Sequence, residues 1–380
     1  MPPPVYLNNA ATSFPKAPGL GEEVRAWLEA VPCEVGRSGA PAVDPLRLCR
    51  QRVARLLGVS DPTRIVLTKS ATESLNIILH GLRLHGQAVL ASAAEHNSVL
   101  RPLFLLERLG KIELLLAPCD GQGRVQREHW LRLVREKRPT VAVLTHASNV
   151  TGAAHGVAEL FAAVHEGGGF TLLDASQSAG LLPLHPERLG ADLLAFTGHK
   201  YLLGPAGTGG FYVRPGVELE PLFVGGTGVR SELRNMPPEM PARLEPGTPA
   251  VALFAGLAHS LNWLEENPLS SAGFAGLDAM RERLDIGLQK VGARVVRVDG
   301  ERTPVVSFTL PSWETADAGK ALEGSFGIVC RAGLHCAPLI HEWLGTRSGG
   351  TVRFSLSRFT TGDDVDRAMD ALGRLLHEAR

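Results

Sequence analysis

The sequence predicts an α/β protein in which a large, mainly parallel sheet is accompanied by a smaller α+β domain. Short apolar runs alternate with segments of helical periodicity through the first part of the chain. Several of these runs are apolar at every position, which is typical of strands covered by helices on both faces. After the Pro- and Gly-rich stretch 236–249 this alternation stops, and long helical segments are followed by further strands.

The apolar runs of the first part predict the strands of the large sheet. They are Arg64–Thr68, Ala88–Ser92, Ile112–Leu116, Val141–Thr145, Phe170–Ala175, Leu193–Thr197 and Gly209–Val213. Helical periodicity lies between several of them, at Thr72–Leu82, Asn97–Leu109, Gln126–Glu136 and Val157–His165. The glycine run Gly167–Gly169 predicts a helix end before the next strand. In such a sheet, ligands bind beyond the carboxyl ends of the strands.

The second part of the chain has a different order of elements. Helices are predicted at Ala250–Glu266, at Ala275–Val291 and from Asp363 onwards. Strands are predicted at Val305–Leu310, Gly327–Arg331 and Thr351–Leu356. We therefore expect a large domain over residues 16–250 and a small domain made of residues 1–15 and 251–380.

The composition favours a soluble cytoplasmic enzyme. Lysine and arginine together number 39, as do aspartate and glutamate, so no net charge attracts the chain to nucleic acid or to a membrane. The amino terminus does not resemble a signal peptide, and no stretch approaches the roughly 20 apolar residues of a membrane span. The 5 cysteines are widely spaced and include no Cys-x-x-Cys pair, which indicates a reducing compartment.

A carboxylate and an amine follow two of the predicted strands. Asp174 ends the run Phe170–Ala175, with Gln177 just beyond it, and Lys200 follows Leu193–Thr197. At one edge of the sheet they can serve one aromatic heterocycle, with Asp174 pairing a protonated ring nitrogen and Lys200 forming an imine. Pyridoxal 5'-phosphate (PLP) requires this division of functions.

The start of the first predicted helix offers a site for the phosphate of such a cofactor. Lys69–Ser74 runs from a strand into a helix, and backbone N–H groups at a helix start bind anions. The hydroxyl of Thr72 adds a donor. Thr197 and His199, on either side of Gly198 and just before Lys200, can add further donors. The segment therefore predicts a phosphate cradle.

Two further polar residues stand at strand ends, and each has a simpler interpretation. His96 follows Ala88–Ser92 and can lie over a planar ring, while Asn149 follows Val141–Thr145 and can reach a ring hydroxyl. Taken alone, His96 is a surface or core histidine and Asn149 a turn residue. Likewise Asp174 alone is a helix N-cap. The glycines of 204–210 precede a strand, which disfavours a dinucleotide-binding interpretation.

Several of these segments together resemble the class V aminotransferase group of fold-type I PLP enzymes, and within it the group II-like cysteine desulfurases. The resemblance covers nearly the whole chain. Its carriers are Tyr6–Pro15, Ala71–Asn76, Glu95–Ser98, Ser148–Gly152, Leu173–Gln177, Thr197–Lys200, Glu245–Pro249 and Arg331–Pro338.

The resemblance implies a function for each matched position. Lys200 would be the Schiff-base lysine, Asp174 the partner of the ring nitrogen, and His96 the residue stacked on the ring. The remaining implied cofactor contacts in the same chain are Ala71, Thr72, Asn149, Gln177, Thr197 and His199. Gly247 and Thr248 would reach the phosphate of a second subunit, which implies a homodimer with shared sites.

The implied reaction removes sulfur from L-cysteine and releases L-alanine. Arg353, with Asn149, would bind the substrate carboxylate, and freed Lys200 would remove the α-proton. Cys336 would carry the sulfur as a persulfide to a protein acceptor, for iron–sulfur cluster assembly or related metabolism. Pairing with His335 or with a nearby cation would favour its thiolate.

Other functions remain open on the same scaffold. A selenocysteine lyase would depend less on Cys336, a transaminase or epimerase would not need it, and a catalytically silent scaffold would not bind the cofactor. Three departures from the family pattern bear on subfamily and substrate preference: Asn8 replaces an aspartate, Ser70 a glycine, and Thr360–Thr361 an Asn-Thr pair.

The remaining cysteines and one arginine have simpler expected functions. A zinc site built from Cys330, His335, Cys336 and His341 is an alternative whose spacing fits structural zinc poorly, so we expect no metal. Cys33, Cys49 and Cys119 are expected to be structural. Arg37 either approaches the site or is a surface charge.

Overall fold

The protein is represented by a computed structural model that describes residues 3–30 and 44–378. Cys33 and Arg37 lie outside the described residues. Up to residue 213 the elements are β1 (Val5–Tyr6), α1 (Leu20–Glu29), α2 (Pro45–Leu57), β2 (Ile65–Thr68), α3 (Ala71–Gly81), β3 (Gln87–Ser92), α4 (Asn97–Arg108), β4 (Ile112–Ala117), α5 (Arg127–Lys137), β5 (Val141–Thr145), α6 (Val157–Glu166), β6 (Phe170–Asp174), α7 (Pro186–Leu189), β7 (Leu193–Thr197) and β8 (Gly209–Val213).

These strands form a 7-stranded sheet in the order β2-β8-β7-β6-β5-β3-β4. Neighbours from β7 to β4 run parallel, whereas β8 is antiparallel to both β2 and β7. The mainly parallel sheet predicted from the sequence is confirmed. Several adjacent parallel strands end at the same edge, where the polar residues predicted to bind a ligand follow them.

The sheet is covered on both faces. Strands β5 and β7 are buried at every position, and two separate hydrophobic clusters pack against the sheet. One cluster contains Trp130 and Phe161, and the other contains Leu75 and Leu103. This burial explains why the strand segments are apolar at every position instead of alternating.

The chain continues into a second group of elements. They are α8 (Val251–Glu266), α9 (Ser271–Lys290), β9 (Arg294–Val295), β10 (Val305–Thr309), α10 (Thr315–Phe326), β11 (Ile328–Val329), β12 (Arg331–Gly333), α11 (Ile340–Trp343), β13 (Thr351–Ser355) and α12 (Gly362–Glu378). A 4-stranded sheet has the order β12-β13-β10-β9, and β1 pairs in parallel with β11. A separate hydrophobic core includes Phe308 and Phe354. The division of the chain at residues 15 and 250 stays a prediction.

Two predicted elements differ from the structure. The single strand Gly327–Arg331 is wrong, because the chain leaves β11 at Cys330 and enters β12, which pairs with β13 in another sheet. The helix predicted from Ala275 already begins at Ser271, where the side chain of Ser270 accepts a hydrogen bond from the Gly273 N–H at 3.1 Å. Gly273 lowers the helix propensity of this first turn, which hides the true start of the helix from the sequence pattern.

None of the helices in residues 3–30 and 44–378 has the length and apolar character needed to cross a membrane.

Candidate active site

A cavity of about 210 Å³ lies at the carboxyl ends of the parallel strands. It brings together the cofactor residues predicted within one chain. Its lining consists of Ala10, Ala11, Ser70, Ala71, Thr72, His96, Ser98, Thr145, Asn149, Asp174, Ser176, Gln177, Thr197, His199, Lys200 and Arg331. The amine of Lys200 and the carboxylate of Asp174 therefore share one cavity, as the sequence predicts.

Adjacent strands position these two groups. Asp174 ends β6 and pairs in register with Ala195 of β7, which leads to Lys200. The buried Asp174 accepts hydrogen bonds at Oδ1 from the N–H and the hydroxyl of Ser176, at 2.9 and 2.5 Å. No donor among the described residues binds its Oδ2. One carboxylate oxygen therefore stays available for a ligand that donates a proton.

The environment of Lys200 favours a neutral amine more than water does. Burial lowers the pKa of Lys200 to about 8, with Asp174 opposing the decrease and Arg353 and Arg331 adding to it. An amine with such a pKa can accept a proton or attack a carbonyl near neutral pH.

His96 is an uncharged ring at the N-terminus of α4. It is the N-cap of the helix, and its Nδ1 accepts the Ser98 N–H at 3.0 Å, so the ring proton lies on Nε2. Burial lowers the pKa of His96 to about 4, and Lys200 adds to the decrease. Ser98 Oγ lies 2.8 Å from the hydroxyl of Thr72, so the ring and the predicted phosphate cradle are linked.

The cradle itself is the start of α3. Ala71 and Thr72 are the first helical residues, whose N–H groups have no partner inside a helix. The preceding Ser70 caps the helix by accepting the Glu73 N–H at 3.2 Å. Burial lowers the pKa of the flanking His199 to about 4, with Lys200 and Lys16 adding to the decrease. In the described part of this chain, an anion here would meet N–H donors and hydroxyls.

One buried polar atom in the cavity fits a ligand. Gln177 donates from Nε2 to the carbonyl of Ala10 at 3.0 Å, while its Oε1 has no partner among the described residues although it is buried. An unpaired acceptor of this kind suits a ligand hydroxyl. The cradle, the free Oδ2 of Asp174 and this acceptor together fit the phosphate, ring nitrogen and hydroxyl of PLP.

Asn149 also makes a contact that the sequence did not suggest. It lines the cavity, and its Nδ2 also donates to the carbonyl of His335 at 2.6 Å. Its own backbone carbonyl accepts a hydrogen bond from Arg353 Nη1 at 2.8 Å. Asn149 thus connects the cavity to the turn that carries Cys336.

The turn after β12 holds Cys336 in an unusual backbone conformation. His335 and Cys336 have φ values of 51° and 59°, a left-handed region that costs energy for residues with side chains. The carbonyl of Cys336 accepts the Asn97 N–H at 2.7 Å, which ties the turn to the start of α4 beside His96. Strained backbone of this kind clusters at functional sites, which makes this turn a candidate for one.

A cation contacts the sulfur of Cys336. The guanidinium of Arg331 donates from Nη2 to Sγ at 2.9 Å. His335 is turned away, with its Nε2 bonded to the carbonyl and hydroxyl of Thr351 at 2.9 and 3.0 Å. Burial lowers the pKa of His335 well below its usual range, so its ring is neutral. Of the two partners considered from the sequence, the structure favours the nearby cation, Arg331.

Arg353 is fully buried in β13, directly opposite Arg331 in β12. Its Nη2 donates to Oδ1 of Asn8 at 3.3 Å, and its Nε has no partner among the described residues. Burial lowers the pKa of Arg353 to about 10, with Arg331 adding to the decrease, so the group remains charged at neutral pH. In the sequence, Arg331 is visible only as the first residue of a family segment, without a function of its own. The cross-strand pairing places it opposite Arg353, and the left-handed turn at His335 and Cys336 brings the thiol back to it.

Gly247 and Thr248 do not line the cavity of their own chain. Both are exposed, in a segment without helix or strand between the short helical turn Ala242–Leu244 and α8. The structure of this chain alone therefore leaves their predicted phosphate contact a prediction.

The other cysteines are packed away from the cavity. Cys49 and Cys119 are buried, and burial raises the pKa of Cys49 to about 12 and that of Cys119 further. Cys330 packs against the core of the second group of elements. Within residues 3–30 and 44–378, no three His, Cys, Asp or Glu side chains are grouped to hold a metal ion.

Comparisons with known proteins identify the family of the chain. The family model for aminotransferase class-V matches residues 5–368. A "Probable cysteine desulfurase" of Methanothermobacter thermautotrophicus is 31% identical over 98% of this chain and 94% of the relative. One of Aeropyrum pernix is 33% identical over 99% and 95%.

Solved structures show the same fold. An apo cysteine desulfurase of Thermococcus onnurineus NA1 aligns with a TM-score of 0.90 at 27% identity, over 99% of this chain and 95% of that one. The cysteine desulfurase CsdA of Escherichia coli aligns with a TM-score of 0.88 at 28% identity over the same shares, 99% and 95%. The chain belongs to the aminotransferase class-V family and has the fold of fold-type I enzymes that depend on PLP.

Proposed function

We propose that the protein is a cysteine desulfurase, which converts L-cysteine to L-alanine and carries the sulfur as a persulfide on Cys336. The observation that carries this proposal is the position of Cys336, whose sulfur is bound by Arg331, a residue that also lines the cavity of Lys200 and Asp174. Relatives and structural neighbours named cysteine desulfurase support it.

The residues of the cavity would hold the cofactor at both ends. PLP, when bound, supplies an aldehyde that takes up an amine and a ring that delocalises the electrons left by a departing α-proton. Ala71, Thr72, Thr197 and His199 would bind its phosphate. Further contacts would come from the carboxylate of Asp174 at the ring nitrogen, from the His96 ring stacked on its face, and from Gln177 and Asn149 near its oxygen.

Lys200 would transfer protons from and to the carbon atoms of the substrate. Because burial lowers the pKa of Lys200 to about 8, a sizeable fraction of its amine is neutral near pH 7.5 and can accept the α-proton of the substrate. The ammonium formed would be stabilised by Asp174 in the same cavity. The same group can return a proton to carbon when alanine forms.

Cys336 would take the sulfur. Its thiolate forms a bond to the substrate sulfur while the bond between that sulfur and Cβ breaks. The electron pair of the broken bond stays with the carbon, which takes up a proton and leaves as alanine. Arg331 would stabilise the anionic sulfur before the attack, since its guanidinium already lies 2.9 Å from Sγ.

Arg353 would bind the substrate carboxylate. It is a buried cation whose Nε has no acceptor among the described residues, and the Asn149 backbone holds its fork in place. A buried N–H without an acceptor costs free energy. A substrate carboxylate that accepts from the Nε–H of Arg353 would remove this cost, so its binding would gain more free energy than binding to an N–H exposed to water.

We further propose a homodimer in which Gly247 and Thr248 complete the phosphate site of the partner subunit. Exposed apolar side chains in the same irregular region, Leu222, Phe223 and Val224, support an interface here, because such patches mark contact surfaces. Sedimentation equilibrium tests this assembly. A monomer at micromolar concentration would contradict it.

A cytoplasmic location and a protein sulfur acceptor are part of the proposal. The four cysteines within the described residues, Cys49, Cys119, Cys330 and Cys336, are free thiols, which suits a reducing compartment. The balanced charge gives no reason to expect nucleic acid or a membrane as partner.

The experiment that tests the function compares Cys336→Ala with Cys330→Ala. Both proteins are incubated with L-cysteine, and alanine and sulfide are quantified. Cys336→Ala should keep the bound cofactor and lose alanine production, whereas Cys330→Ala, altered in the core, should retain it. Full activity of Cys336→Ala with L-cysteine would contradict the proposed mechanism.

A further inference from the structure

Glu245 is a buried carboxylate that the proposed mechanism does not use. Its Oε1 accepts the backbone N–H of Leu67 in β2 at 2.5 Å, and its Oε2 accepts Arg50 Nη2 of α2 at 2.5 Å. Only 18% of the Glu245 side chain is exposed. Both oxygens are therefore used, and they join three separate parts of the chain.

The position of Leu67 explains why a hydrogen-bond acceptor is needed. Strand β2 is the edge of the large sheet, so on one side no strand among the described residues accepts its N–H groups. A neutral acceptor such as asparagine or serine would satisfy this N–H at lower cost, because burial of the charged carboxylate raises the pKa of Glu245 to about 7 even beside Arg50. The second oxygen of Glu245 binds Arg50, so this side chain also fixes the edge of the sheet to helix α2, which a group that only closes the edge would not do.

Functional segments lie on both sides of this carboxylate. Leu67 leads through Thr68 to the phosphate cradle of this chain, which starts at Ala71. Glu245 itself is followed, after one proline, by the exposed pair Gly247 and Thr248. The next fixed point after Glu245 is the hydrogen bond from the Gly247 N–H to the Gly226 carbonyl, at 2.7 Å.

We propose that Glu245 is a positioning residue. It fixes the direction in which Gly247 and Thr248 project from their own subunit, so that they complete the phosphate site of the partner subunit. This inference rests on the proposed cofactor site and homodimer. An irregular exposed segment loses conformational entropy when it binds. Because Glu245 holds the start of this segment against β2 and α2, part of that entropy is already lost before the segment binds the phosphate in the partner subunit.

The first test measures the affinity of the apo-protein for PLP by absorbance titration. Glu245→Gln keeps the shape and an acceptor for Leu67 but loses the charge that pairs with Arg50. We expect the dissociation constant to rise by roughly tenfold or more, as for the loss of a charged hydrogen bond. The matched control is Glu265→Gln. It removes an ion pair with Arg55, which lies on α2 as Arg50 does, and it should leave the affinity for PLP unchanged.

A double-mutant cycle tests whether Glu245 acts through Thr248. Thr248→Ala alone should weaken PLP binding, and Glu245→Gln combined with Thr248→Ala should weaken it no further than the larger single effect. Additive losses would overturn the inference, since they would mean independent contributions. If Glu245→Gln does not fold, as judged by circular dichroism, Arg50→Met removes the same ion pair from the other side.

A mixed dimer tests the direction of the effect. One chain carries Glu245→Gln and the other Lys200→Ala, so the only site with Lys200 belongs to the Glu245→Gln chain. Its Gly247 and Thr248 then come from the chain with an intact Glu245. PLP affinity at this site should return to the wild-type value. If it stays weak, Glu245 acts only within its own chain, and the inference is overturned.

The outcomes separate this inference from the proposed function. Wild-type protein that binds PLP but releases no alanine from L-cysteine would refute the desulfurase function and leave the PLP titrations valid. Wild-type protein that releases alanine while Glu245→Gln and Arg50→Met bind PLP normally would refute the inference alone.

Discussion

Asn149→Ala should displace the nucleophile Cys336, in addition to any effect on the binding of the cofactor. The Asn149 side chain donates at 2.6 Å to the carbonyl of His335, next to Cys336. Two successive residues in the left-handed region, His335 and Cys336, store about 1–3 kcal/mol each. The strain persists because surrounding hydrogen bonds hold it, including the one from the Asn97 N–H to the Cys336 carbonyl at 2.7 Å.

The magnitude follows from these bonds. Loss of Asn149 removes one hydrogen bond and leaves a buried carbonyl unpaired, at a cost of about 1–3 kcal/mol. This is comparable to the strain of one left-handed residue, so the turn should relax in a large fraction of molecules. A nucleophile displaced by about 1 Å costs roughly a hundredfold in rate. We expect kcat for alanine formation to decrease by about tenfold to a hundredfold.

An assay on the apo-protein reports the position of Cys336 independently of cofactor binding. The alkylation rate of Cys336 by iodoacetamide, measured on the apo-protein, should change in Asn149→Ala because the turn has moved. The control is Asn97→Ala, which removes a side chain of the same type but keeps the backbone N–H that binds Cys336. A variant Asn149→Ala with unchanged alkylation and unchanged kcat but weaker PLP binding would refute the reasoning.

Three further predictions follow from the site and the core. Lys200→Ala should lose covalently bound PLP and no longer exchange the α-proton of the substrate in D₂O, which NMR measures; retained exchange would exclude it as the base. Arg353→Lys should raise KM for L-cysteine about tenfold with unchanged PLP affinity, because an ammonium cannot replace the planar fork; an unchanged KM would exclude Arg353 from substrate binding. Burial lowers the pKa of His146 to about 4 and of His155 to about 3, with His146 and Arg124 adding to the shift of His155, so both stay neutral in the folded protein. Above pH 6.5 neither histidine takes up protons in either state, and as the pH falls from about 6.5 to 4 the unfolded chain binds protons that the folded one excludes. The free energy of unfolding should then fall by up to about 1.4 kcal/mol per pH unit for each of the two histidines. Urea unfolding measured at several pH values checks this, and no decrease in this pH range would contradict it.

Much of the large sheet could be predicted because its physical cause is local. A strand buried on both faces must be apolar throughout, so Val141–Thr145 and Leu193–Thr197 are visible as continuous runs. Parallel strands also bring the residues that follow them to one edge. For that reason the amino-acid sequence alone suffices to place Asp174 and Lys200 together.

Other features depend on contacts between distant parts of the chain or on an uncommon backbone conformation. The break at Cys330 arises because β11 and β12 pair with strands far apart in sequence, which apolar patterning does not encode. Arg331 reaches Cys336 because a left-handed turn folds the chain back, and non-glycine residues rarely adopt that conformation. The Glu245 contact joins residues separated by 178 positions. In each case the residue type was visible, but its partner was not.

The central claim is that Cys336 receives the sulfur of L-cysteine, and a single turnover tests it most directly. PLP-loaded protein is mixed with less than one equivalent of L-cysteine, quenched with an alkylating agent and analysed by peptide mass spectrometry. We expect one additional sulfur atom on the Cys336 peptide for each alanine released. Alanine formed with no added sulfur on Cys336 would contradict the claim.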